Sequence, residues 1–181
     1  EDDSYENTVN SLSCTLSGTV PYPSGVAAGT ITCTGDVDFI ANIYGYGIVT
    51  IFDDEPLSGS GIITITTSAG TVTITGSVTV ATDPTTGNFD NGGPISTALD
   101  DSAIVVKTIN VAITGTLDLA NEEIDVTTGG LTMSGFDLID INDDGTYNIQ
   151  VPESDTVDLT GQSIPLTASP KVPGIITDGT V

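Results

Sequence analysis

The chain has no His, no Arg and no Trp, and Lys107 and Lys171 are its only basic residues. Each absence excludes something. Without His there is no neutral-pH acid–base group of the ordinary kind and no imidazole metal ligand. Without Arg there is no bidentate clamp for phosphate or carboxylate substrates. Aromatics are few, 5 Tyr and 4 Phe, so the stacking platforms usual in sugar clefts are scarce. No run of 18 apolar residues spans a membrane as a helix, and no Asn-x-Ser/Thr acceptor for N-glycosylation occurs. With 25 Asp and Glu, the formal net charge is −23. A surface this negative repels nucleic acid and anionic membranes and attracts cations. The composition therefore predicts a protein that is not an enzyme, does not bind nucleic acid and does not insert in a membrane. A carboxylate pair hydrolysing glycosides stays open as an alternative, since acidic residues abound.

What is present is alternation. Gly61 to Thr82 reads GIITITTSAGTVTITGSVTVAT. Ile63 and Ile65 precede a small turn at Ser68-Ala69-Gly70, and Val72, Ile74, Gly76, Val78 and Val80 follow it. Thr or Ser fills the positions between them. Period two in β-branched residues predicts a hairpin with one aliphatic face and one face of hydroxyls. Most other segments repeat the design, including 11–20, 30–35, 37–43, 46–52, 104–119, 124–128, 131–141, 146–151 and 156–160. No segment shows a 3.6-residue period, so no helix is expected. At 181 residues and 38% hydrophobic, the chain can bury a core of one domain.

A short pattern, apolar–Ser/Thr–Gly–x–apolar, recurs at Leu16 to Val20, Cys33 to Val37, Ile74 to Val78 and Ile113 to Leu117. Glycine in mid-strand marks a bend, a bulge or a close backbone approach. The expected fold is all-β, an antiparallel β-sandwich (Ig-like or jelly-roll-like) with long glycine-bent strands. A parallel β-solenoid, with the glycines at its corners, is the alternative. Residues 1–10 read as an acidic N-terminal segment, 11–163 as the sandwich with a long loop at 83–103, and 164–181 as a proline-containing tail. The acidic groups at Asp53-Asp54-Glu55, Asp100-Asp101 and Glu122-Glu123 are expected at turns. Strict alternation would bury Lys107; a change of strand phase near Thr108 would return it to solvent.

Cys14 and Cys33 fall on core-facing phases of neighbouring strands, which predicts a disulfide and an oxidising, extracellular setting. The start EDDSYENTVN, without Met, is read as that of a mature, secreted or cell-surface form. Asp140, Asn142 and Asp144 follow the opening of an Asp-x-Asn-x-Asp-Gly calcium loop. The Glu such a loop carries at its twelfth position is Val151 here. No cofactor is required, and calcium is the one that this turn offers ligands for.

The start, the cysteine pair and the Thr-rich, glycine-bent strands together resemble secreted surface-fibre subunits, pilin-like or sheath proteins built on β-sandwiches. The resemblance implies a structural building block that assembles with copies of itself, one subunit donating a strand to the next. Ile175 and Ile176 in the tail, or Val9 and Leu12 near the start, are the expected inserted residues. A calcium-dependent adhesion or surface-binding module is the alternative.

Overall fold

The computed structural model describes residues 4–43, 45, 47–82, 102–140, 146–149, 155–166 and 174–176. Among these there is no helix. The strands are β1 (Ser4–Val20), β2 (Gly25–Ile43), β3 (Gly47–Ser68), β4 (Thr71–Thr82), β5 (Ser102–Asp118) and β6 (Glu123–Asp140), then the short β7 (Thr146–Ile149), β8 (Asp155–Asp158), β9 (Ser163–Pro165) and β10 (Gly174–Ile176). Every described strand pair is antiparallel, as the hairpin signals predict. Sheet order is β10-β1-β2-β3-β4-β5-β6-β7, with β8 and β9 also on β6. From β1 to β7 this is an up-and-down meander, whereas Ig-like and jelly-roll-like orders interleave strands distant in sequence. Short turns explain it. Ala69 (φ 48) and Gly70 (φ 82) both take left-handed backbone, the two-residue turn whose twist matches flanking antiparallel strands.

The strands are long. The 22 residues of β3 span about 73 Å at the usual rise, against the 3–10 residues common in globular proteins. One face of the sheet is fully buried: Ile31, Ile63, Ile65, Ile74 and Ile109 have no exposed surface. A sheet face can be dry only under a second layer. No described helix supplies one, so the sheet curls over itself and its inner face meets its own continuation in a single core.

Glycines on the inner face permit that curl. Gly76 lies on the buried phase of β4, between Ile74 and Val78. A Cβ placed there would stand 2.5 Å from the Ile62 carbonyl oxygen and 2.9 Å from the Ile63 Cα. Backbone therefore approaches where side chains would otherwise crowd the concave face.

Several expectations are corrected. β1 begins at Ser4, inside the stretch read as an acidic lead. Its alternation was hidden because the inward position 7 is Asn, and because Asn10 is an extra residue. Val9 faces Val37 and Ser11 faces Asp36, so the inward phase passes from Asn7 and Val9 to Leu12, Cys14 and Leu16. The acidic triplet at 53–55 is not a turn. β3 runs through it, with Asp38 opposite both Asp53 and Asp54. Pro56 sits just before Leu57, the first β3 residue paired with β4, so it disturbs a strand with one neighbour only. β6 passes through Gly129 and Gly130 unbroken, and Thr127 is its extra residue opposite the Thr114/Gly115 step. Lys107 stays in phase between Val105 and Ile109 and has no exposed surface; no phase change releases it. Ile164 and Leu166, placed with the tail by sequence, belong to the buried core.

Candidate functional site

Three features of the sheet bear on function: the cysteine pair, the acidic clusters at its ends, and the seam where its edges approach.

Cys14 and Cys33 face each other across β1 and β2 and form a disulfide with Cα atoms 4.1 Å apart. Both are buried, as their inward phase predicts. A link closing 19 residues is worth about 3 kcal/mol through loss of unfolded-state freedom.

The first acidic cluster is built by coincident bulges. Asn10 of β1 and Asp53-Asp54 of β3 are the extra residues on either side of the same level of β2. Asp54 takes left-handed backbone (φ 52), and its N–H donates to Asp38 Oδ1 at 2.8 Å. Carboxylate oxygens of Asp38, Asp53 and Asp54 lie within 4.8 Å of one another. Asn10 Nδ2 donates to Asp54 Oδ1 at 3.4 Å, and Ser11 Oγ to Asp36 Oδ2 at 2.8 Å. The Asp54 N–H, and secondarily the Asn10 amide, hold the Asp38 carboxyl below its ordinary range by favouring its charged form.

A second cluster, Asp118, Glu123 and Asp125, meets the same 4.8 Å criterion at the opposite end of the sheet. Here Asp118 caps its own turn. It accepts the Asn121 side-chain amide at 2.7 Å and the backbone N–H groups of Ala120 and Asn121 at 2.9 and 3.1 Å. The Asn121 side chain is the larger cause of its lowered pKa. Ser163 Oγ donates to Asp125 Oδ1 at 3.2 Å, tying β9 to the cluster. Oxygen-only ligands of this kind suit a hard cation such as calcium.

Of the residues predicted to hold a cation, Asp140 ends β6 opposite Thr146 and Ser102, and Asn142 and Asp144 lie outside the described residues. Sequence reasoning noticed Asp53, Asp54 and Glu123 as acidic pairs. It missed Asp38, Asp118 and Asp125, which only strand register brings to them; the one signal available was an acidic residue at 38 facing an acidic pair across a hairpin.

The seam lies between β1 and the β6 side of the sheet. β6 is flanked on its outer edge by β9, β8 and β7 in turn. Among the described residues, β1 has a partner on its outer edge only at Gly18–Val20, where β10 pairs with it antiparallel. From Ser4 to Ser17 no described strand pairs there. A groove of about 220 Å³ opens beside this edge, lined by Val9, Asn10 and Leu12 from β1 and by Ile109, Leu131, Met133 and Val157 opposite. Val9 and Leu12 thus pack on this chain's own core. Ile175 and Ile176 lie on the β1 edge of the same chain, opposite Thr19 and Gly18.

These features define an all-β, disulfide-linked antiparallel sheet whose β1 edge, among the described residues, is paired only at Gly18–Val20. Among the described residues no helix is long and apolar enough to cross a membrane. No protein-family model, curated protein or solved structure matches the chain.

Proposed function

We propose that the chain is a structural subunit of an extracellular filament or surface layer, assembling with copies of itself by strand addition. The observation that carries this is the outer edge of β1. Among the described residues it offers a row of backbone donors and acceptors over Ser4–Ser17 beside an apolar groove, while the matching edge of β6 has three strands laid on it. An open edge of that length is a template for another strand, whose backbone supplies hydrogen bonds while alternate side chains enter the groove. β10 shows the chemistry in miniature, since a tail strand of this chain already sits on the same edge. Strand addition from one copy to the next does not close on itself and generates a filament. The disulfide suits an oxidising environment outside the cell.

The test is native particle size. Light scattering and electron microscopy of the full chain, across protein concentration and from low to molar salt, should show polymers whose mass grows with concentration. A monomer throughout overturns the proposal.

A second reading, a calcium-dependent adhesion module, is favoured by the Asp38–Asp53–Asp54 cluster. It requires calcium to raise the melting temperature at constant ionic strength, and Asp53→Asn to remove that rise.

A further inference from the structure

The carboxylates are not spread over this protein; they are segregated. No Asp or Glu occurs in 7–35, 56–82, 102–117 or 126–136, which are the central parts of β1 to β6. On β1 to β6 the acids lie toward the two ends, Glu6, Asp36, Asp38, Asp53 to Glu55, Asp137 and Asp140 at one and Asp118 to Asp125 at the other, while Asp155 and Asp158 stand on the short flanking β8, opposite Met133 and Gly130. The single basic residue in those central stretches, Lys107, points inward and has no exposed surface. Between the acidic ends, the outer face of β1 to β6 is therefore a belt without charge.

Register makes the belt a lattice. One row runs Ser17, Thr30, Ile62, Ser77, Asn110 and Thr132, partner to partner across six strands. Parallel rows join Thr66, Thr73, Thr114 and Thr128, and Thr79, Thr108 and Ser134. Within the belt, Thr32 and Ser60 share a cross-strand hydroxyl hydrogen bond at 3.2 Å. Two large apolar side chains break the hydroxyl surface, Val26 on β2 at 71% exposure and Ile62 on β3 at 72%.

We infer that this belt is a lateral contact surface for a second copy of the same chain. The inference rests on the self-assembly reading and adds the face used between filaments, which is distinct from the β1 edge used along them. Charge selects the occupant. Two molecules of −23 repel wherever carboxylates oppose each other, and like-charge juxtaposition at a contact costs enough to forbid it. A belt-to-belt contact over β2 to β5, clear of Asp158 on β8, is the approach that opposes no carboxylates. Hydroxyls hydrogen-bond equally well to their own kind, being donors and acceptors at once, and Val26 and Ile62 give such a contact apolar anchors. In extent, four strands about 4.8 Å apart and about 11 residues tall offer roughly 700 Å², close to the ~800 Å² per partner of a standard interface.

The experiment compares the full chain with Ile62→Glu and, separately, Thr75→Glu, both at exposed outward positions, with Thr50→Glu, exposed toward the Gly45 end of β3 and away from both the belt and the β1 edge, as control. Circular dichroism and the intact disulfide verify each fold. Sedimentation and electron microscopy should show side-by-side association in the native chain and the control. In both belt variants it should weaken about a hundredfold at low ionic strength and recover in molar salt, because the added charge is screenable. Single filaments of normal length in the belt variants support the inference. Belt variants that bundle like the native chain overturn it and leave self-assembly standing, whereas a monomeric native chain overturns both. Binding of the native belt to a polysaccharide matrix, without lateral self-association, also overturns it.

Discussion

The two ends of the β2–β3 hairpin obey different rules. Toward the Ser68 turn, β3 alternates without interruption from Leu57, its inward side chains Leu57, Ile63, Ile65 and Thr67 are buried, and strands lie on both sides of it. Toward the Gly45 turn the same two strands carry two register shifts and β1 a third. There Ile48 is 75% exposed and Ile40 39%. Among the described residues three strands reach this arm, since β4 meets β3 from Leu57 onward. The difference shows what holds register. A strand with neighbours on both sides cannot slip a residue without turning its whole hydrophobic set outward. A strand with one neighbour can, and bulges accumulate there together with the acids that line them.

The largest contrast between the regions should come from equivalent truncations. Ile65→Ala in the regular half leaves a cavity in the closed core and should cost about 4 kcal/mol in urea unfolding. Ile48→Ala in the arm should change stability by less than about 0.5 kcal/mol. Equal losses at the two sites would erase the distinction.

Removing the bridge comes next. The double substitution Cys14→Ser, Cys33→Ser should cost about 3 kcal/mol. Hydrogen exchange should then rise first in residues 4–10 and 36–43, where β1 has the fewest other contacts. Uniform acceleration across all six long strands would contradict that order.

Glycines give a third, smaller contrast. Gly76→Ala forces a Cβ against the β3 backbone and should cost about 2 kcal/mol. At Gly45 a Cβ meets nothing within 4 Å, but φ is +86, so Gly45→Ala should cost about 1 kcal/mol through backbone strain alone.

These contrasts also show how far the sequence was legible. Hairpin 61–82 could be read residue by residue, because alternation, turn chemistry and burial agree there. The Cys14–Cys33 pairing was legible for the same reason. The arm was not. An extra residue such as Asn10 inverts the phase of everything before it, so Asn7 and Val9 read as noise beside Leu12 and Cys14. The Asp38 cluster was illegible because two of its members occupy the bulge itself, and no periodicity describes a bulge. Curl was only hinted at. The repeated glycines signalled bending, but whether bending yields one coiled sheet or a stacked pair depends on which neighbour approaches, and that is a matter of register.

The smallest effect is pH-dependent and belongs to the arm. Asp38 has its folded pKa lowered by the Asp54 N–H and the Asn10 amide. Its stabilising contribution is therefore present above the ordinary value of 3.8 and is lost as pH falls through the depressed folded value. Neutralisation of the other carboxylates works against this, relieving repulsion as pH approaches the isoelectric region near 4.1. Urea midpoints of the native chain and Asp38→Asn should differ at pH 6 and converge below the carboxylate range. A gap that persists at acid pH would show that Asp38 acts through shape rather than charge.

The sequential strand order has a kinetic consequence. Each long strand pairs with the one synthesised just before it, so the sheet can zip hairpin by hairpin as the chain leaves the ribosome, closing short loops before long ones. The short strands after β7 depart from this rule: β8 and β9 reach back a short way to β6, whereas β10 must return to β1 across more than 150 residues. Until it arrives, the Gly18–Val20 end of β1 lacks that partner. On the strand-addition proposal, a neighbour's strand would compete with the chain's own tail during that interval, and subunit concentration, as much as the folded structure, would set the balance between a self-capped molecule and a polymer.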